Sequence, residues 1–138
     1  MSIYFSLEVL IPPLYFQFAW RRNALLPMEP VDAVTDAWQL GEAIKDNILA
    51  PNNYSYTRIY DTANSYDNNN PTNAPGYEDA PCNTTNVTNS WANNRYGLVV
   101  WFTHGIETEA IDVFVNTDAV YLDDNYPSFT FQTSRETA

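Results

Sequence analysis

The chain has 138 residues, of which 45% are hydrophobic and 15% aromatic, with 17 acidic against 6 basic side chains. That length suits one domain at most, and that apolar share excludes wholesale disorder. A net charge of −11, with Arg21-Arg22 the one adjacent basic pair, argues against nucleic acid as a partner and makes an anionic membrane surface repulsive.

The aromatic stretch over 4–20 is broken by Pro12-Pro13 and lacks period-2 alternation. Residues 1–31 therefore read as an irregular segment with at most a short strand near 8–11. The N-terminus does not read as a signal peptide, because no positive region opens it and Glu8 interrupts it. No apolar run is long enough to span a bilayer. Residues 32–49 are the clearest helix. Val34, Ala37, Trp38, Gly41, Ile44 and Ile48 recur at three- and four-residue steps as one apolar stripe, with Asp36, Gln39, Glu42 and Lys45 largely opposite. Asp32 is placed to cap this helix and Pro51 to stop it. A short strand follows over 56–60, and helix followed by strand is the first sign of α/β layering.

Residues 61–83 form a long polar loop, turn-rich at Asn68-Asn69-Asn70-Pro71 and at Pro75-Gly76. Thr85 is placed to cap a second helix through Asn94, with Val87 and Trp91 inward and Gly97 just past its end. Leu98-Val99-Val100-Trp101-Phe102 has the pattern of a strand buried on both faces, as in a parallel sheet, and it runs into Thr103-His104-Gly105. A helical turn or two is expected over 109–115, then a short apolar piece over 120–122. The last expected strand is 129–132.

His104 is the sole histidine. It stands at the end of the most apolar strand, where parallel sheets place ligands, and imidazole titrates near neutrality, so it is the candidate general base. The alternative is an ordinary strand-end residue. Gly105 would allow a sharp turn and close approach of a substrate backbone. Cys82 is the sole cysteine, so no internal disulfide can form; no basic residue adjoins it, and it reads as a loop cysteine without catalytic work. Glu107 and Glu109 are candidates to orient the imidazole or to bind a basic substrate side chain, though solvated loop acids are the simpler reading. Asp67 and Asp123-Asp124 offer hard oxygens for a structural calcium ion but lack an EF-hand spacing, so turn chemistry is preferred. Asn53-Tyr54-Ser55, Asn83-Thr84-Thr85 and Asn86-Val87-Thr88 match the glycosylation sequon, which an Asn-rich chain also produces by chance.

The string Tyr96-Gly97-Leu98-Val99-Val100-Trp101-Phe102-Thr103-His104-Gly105 resembles the His-Gly motif of caspase-like (clan CD) cysteine peptidases, and within that class the gingipain type. Pro127-Ser128-Phe129-Thr130-Phe131-Gln132-Thr133-Ser134 is similar to the family's second strand, which leads to the nucleophilic cysteine. Residues 36–44 and 58–61 are similar to the helix and strand that precede the catalytic strands. The resemblance implies an α/β caspase-like sandwich with a mostly parallel sheet, carried by 32–134 and incomplete at the C-terminus, with 135–138 as a non-family tail. It implies a cysteine endopeptidase acting on protein or peptide substrates, without a cofactor, at an extracellular or cell-surface location. His104 would move the proton, and the Gly105 amide would contribute to the oxyanion hole.

The family's cysteine should follow Ser134, and Arg135 stands there. Arginine is no nucleophile. The chain is thus expected to be inactive as it stands, a gene fragment or frameshift product of a peptidase. The alternatives are a non-catalytic interaction or pseudoenzyme module on the same scaffold and, more remotely, an acidic calcium-binding domain. An N-terminal deficit is also expected, because nothing before Asp32 reads as a central strand. Open sheet edges would then favour poor stability or self-association.

Overall fold

The computed structural model describes residues 18–32, 35–62 and 76–136. Its core is a mostly parallel sheet. Strand β1 (Asn23–Met28) is flanked by β2 (Ser55–Tyr60) on one side and β4 (Leu98–Ile106) on the other, both parallel to it. The two-residue strand β3 (Ala80–Pro81) extends the sheet beyond β2, and β7 (Phe129–Glu136) runs parallel to β4 along its other edge. A small antiparallel hairpin, β5 (Glu109–Ala110) and β6 (Phe114–Val115), follows β4. Mixed α/β architecture with a mostly parallel sheet is therefore what the chain adopts.

The expectation that nothing before Asp32 forms a central strand is overturned by β1. Ala24, Leu25, Leu26 and Met28 are fully buried. Pro27 hid this strand, since a proline inside an apolar run argues against a central position. The ladder explains the exception. Register with β2 is continuous, whereas partners on β4 are Leu98 and Val99, then Phe102, skipping Leu26 and Pro27. The missing proline N–H is accommodated by a gap on one side only. The short strand expected near 8–11 lies outside the described residues.

Alternation along β1 and β4 feeds two cores. Ala24, Leu26, Met28 and Val100 pack with helix α1 (Ala37–Ile44) and Leu49 on one face. Leu25, Val99 and Trp101 pack with Ile59, Tyr96, Val113 and helix α2 (Thr84–Asn93), through Val87, on the other. Full burial of each aliphatic side chain contributes roughly 1.5–3 kcal/mol. The sheet is thus covered on both sides, which is why β4 reads as a continuous apolar run rather than an alternating one.

The first helix departs from its expected stripe. After Ile44 the backbone widens into a π-helical segment, Lys45–Leu49, before the 3₁₀ turn Ala50–Asn52. The extra residue per turn rotates Ile48 outward, to 54% exposure, and brings Leu49 to 0%. Asp32 does not cap α1; its carboxylate instead accepts from the Thr35 N–H at 2.6 Å and hydroxyl at 2.9 Å, while Asp36 takes the N-cap position. At α2 the cap is Asn83, whose Oδ1 accepts the Asn86 N–H at 2.8 Å, rather than Thr85.

Three further expectations change. Residues 109–115 form the β5–β6 hairpin, not a helical turn. Asp112 takes φ 58° in its loop, a left-handed conformation that Asp tolerates. Gly97 is not a left-handed helix cap; a Cβ there would lie 2.4 Å from the Arg21 Cα, so its role is close backbone approach. The last strand is longer than expected and runs through Arg135 to Glu136. Thus 135–136 belong to the sheet. On β7, Phe129 and Phe131 remain 70% and 58% exposed.

Candidate active site

In a parallel sheet, all carboxyl ends lie on one edge. Here β2 lies on one side of β1 and β4 on the other, so the connections diverge at the carboxyl end of β1, the place where such sheets open a crevice. The residues on this edge are Cys82 after β3, Asp61 after β2, Glu29 after β1, and His104 near the end of β4. The backbone holds them in line. Cys82 N–H donates to Tyr60 O at 2.9 Å, Asp61 N–H to Met28 O at 3.0 Å, and Glu29 N–H to Phe102 O at 2.9 Å. Each strand is prolonged by one residue that carries a functional group.

His104 and Gly105 lie inside β4 rather than after it. His104 shares the parity of Leu98, Val100 and Phe102, placing it on the α1 side of the sheet. It is 9% exposed. Its Nε2 bonds the main-chain carbonyl of Val31, in the segment that leaves β1. A carbonyl oxygen only accepts, so Nε2 carries the hydrogen and, in the neutral ring, Nδ1 is the accepting nitrogen. The preceding side chain, Thr103, faces the other way and donates to Ile111 O at 2.6 Å. His104 O in turn accepts the Ile111 N–H at 2.9 Å, tying the hairpin to the strand.

Gly105 is not a turn residue. It pairs with Glu136 of β7 and with Ala110 of β5, and a Cβ on it would sit 2.9 Å from the Ser134 Cβ. Its missing side chain lets β7 lie against β4 at the site. A cavity of about 390 Å³ opens beside it, lined by Trp91, Trp101, Phe114, Glu107, Glu109 and Ser134 among others. The three rings pack together, Trp91 with Phe114 at 5.2 Å and Trp101 with Phe114 at 6.4 Å. A larger cavity, about 480 Å³, lies against the turn that leads into β7, near Arg95 and Tyr126. The Arg95 guanidinium covers the Tyr126 ring there at 3.7 Å. That cavity is remote from His104 along the sheet.

Cys82 belongs to this edge, which its place in a polar loop did not suggest. It is half-buried. Burial first, then the charges of Glu29, Asp61 and Asp112, push its thiol well above the ordinary range, and the thiol donates to the Asp112 main-chain carbonyl at 3.9 Å. Every nearby charge favours the protonated, non-nucleophilic form. Glu29 and Asp61, 4% and 6% exposed, were not singled out by sequence reasoning. Their signal was an acid directly after an apolar or aromatic strand end, at Met28-Glu29 and Tyr60-Asp61.

Other expected groups are dispersed. Glu107 is exposed in the β4–β5 turn, and Glu109 opens β5 in register with Ile106. Asp123 accepts from both the backbone N–H and the side chain of Asn125, at 2.9 and 2.7 Å, which is turn chemistry. Asp67 lies outside the described residues. Among the described residues no group of three or more His, Cys, Asp or Glu side chains is arranged to hold a metal ion, and no helix is long and apolar enough to cross a membrane.

No protein-family model, no curated protein and no solved structure matches this chain.

Proposed function

We propose that the chain is the histidine-bearing part of a cysteine endopeptidase of caspase-like architecture, lacking its nucleophile at position 135. One observation carries this reading. Strand β7 lies parallel to β4 with Arg135 in register with His104 and Ser134 in register with Thr103. The residue after Ser134, where the resembling family carries its cysteine, is therefore the lateral neighbour of the histidine. A thiol on that strand and the imidazole would share one face of the sheet at its carboxyl edge, the arrangement a thiol and its proton carrier need.

In this reading the Val31 carbonyl orients the His104 ring, and the imidazole takes the thiol proton and passes it to the leaving amine. By the same resemblance the Gly105 amide, one residue on, would contribute to the oxyanion hole. Protein or peptide substrates and an extracellular or cell-surface setting belong to this same proposal. A second reading, a non-catalytic module on this scaffold, is favoured by Arg135 itself.

The test is Arg135→Cys in a Cys82→Ser background, compared with the same chain carrying His104→Ala. The peptidase reading expects thiol-dependent peptide cleavage, or labelling by a peptidyl thiol-acylating probe, that His104→Ala abolishes. A folded Arg135→Cys chain that neither cleaves nor labels, or labels equally without His104, transfers the assignment to the non-catalytic module.

A further inference from the structure

The three sequons are treated differently by the fold. Glycan transfer requires the asparagine Nδ2 to be presented to an enzyme together with the hydroxyl two residues on. At Asn86, Nδ2 already donates to Pro81 O at 2.9 Å inside the first turn of α2. At Asn83 the amide is fixed as the helix cap, its Oδ1 held by the Asn86 N–H at 2.8 Å. Both are half-buried. Modifying either would disturb the start of α2 next to Cys82.

Asn53 is different. It terminates the 3₁₀ turn Ala50–Asn52 in a left-handed conformation, φ 57° and ψ 41°, which projects it from the corner leading into β2. Its backbone is anchored by Asn53 N–H to Ala50 O at 3.1 Å and Tyr54 N–H to Leu49 O at 3.0 Å. Asn53 and Ser55 are both exposed. Asn53 precedes β2, so it stands at the amino edge of the sheet, opposite the edge that carries His104.

We propose that Asn53 is an N-glycan acceptor, and that it is the sequon the folded chain presents. The co-substrate is an oligosaccharide carried on a lipid pyrophosphate. The Asn53 Nδ2 bonds to the anomeric carbon as the bond from that carbon to the pyrophosphate oxygen breaks. The lipid pyrophosphate leaves with the electron pair, and the amide gives up one of its two protons. A glycan there leaves the carboxyl edge of the sheet open.

The folded full chain is incubated with a single-subunit, sequon-specific oligosaccharyltransferase and its lipid-linked oligosaccharide, then digested and mapped by glycopeptide mass spectrometry. The expected result is one modified peptide, containing Asn53, which disappears in Ser55→Ala. That variant removes the sequon hydroxyl from an exposed position while keeping Asn53 in its left-handed turn. No modification at all, modification at Asn83 or Asn86 of the folded chain, or an undiminished Asn53 glycopeptide in Ser55→Ala would each overturn the proposal.

Discussion

The imidazole of His104 and the main-chain carbonyl of Val31 are bonded although 73 positions separate them in the chain. The bond ties the end of β4 to the segment leaving β1, at the point where the sheet's connections diverge. Because the partner is a carbonyl, the neutral ring is expected as the Nε2–H tautomer. Long-range ¹⁵N–¹³C correlation spectra of this single-histidine chain read the tautomer directly. A dominant Nδ1–H form would refute the contact.

Gly105→Ala is expected to destabilise the fold by about 1–3 kcal/mol, the usual cost of forcing a methyl into a packed place. The added Cβ would meet the Ser134 Cβ at 2.9 Å. Ser134→Gly in the same chain removes the opposing atom and should recover much of the loss. A double-mutant cycle by urea unfolding measures the coupling, and simple additivity would mean the two strands do not meet there.

Leu49 and Ile48 separate the π-helical segment from a regular helix. Leu49→Ala is expected to cost about 2–5 kcal/mol, as for other fully buried leucines, and Ile48→Ala well under half of that. Leu49 is 0% and Ile48 54% exposed. The reverse order in thermal unfolding would restore the uninterrupted helical stripe.

Asn83→Ala removes the α2 cap and should cost about 1 kcal/mol, with Asn83→Asp or Asn83→Ser close to neutral. The capping bond is that from Asn86 N–H to Asn83 Oδ1 at 2.8 Å. Equal losses for Ala and Ser would show that the side-chain oxygen does not cap.

Cys82 should react slowly with alkylating reagents at neutral pH, about tenfold or more below the denatured chain, because only the thiolate attacks. Burial and the neighbouring carboxylates raise its folded pKa above the unfolded value. The sign follows: the contribution is fully present below the unfolded thiol pKa and is lost as pH rises through the folded one. Tyr60, raised chiefly by burial and then by the Glu42 carboxylate, adds a loss of the same sign at still higher pH. Cys82→Ser should flatten the first part of the alkaline decline in unfolding free energy. An unchanged profile would remove Cys82 from the account.

Much of this was legible in the sequence. The run Leu98 to Phe102 announced a strand buried on both faces, and the capping and inward residues of α2 were readable to within two positions. His104 was marked by its place at the end of that strand. Other features were not legible. Pro27 disguised β1, because its tolerance depends on which neighbour its missing N–H would have faced. The hairpin strands β5 and β6 are two residues each, too short to show a period. Ile48 and Leu49 exchanged places through one widened helical turn, which no periodicity reports.

By itself the sequence determined the two-faced burial of β4, the helix and strand material on either side of it, and the acidic, single-cysteine, single-histidine inventory. These are local properties, set by side-chain pattern and composition. Only the tertiary structure decided that Glu29, Asp61, Cys82 and His104 share one edge, that Val31 orients the histidine, and that Arg135 is its lateral neighbour. Parallel strands joined by crossovers bring distant strand ends together, and their register is set by pairing across the sheet rather than by neighbours along the chain.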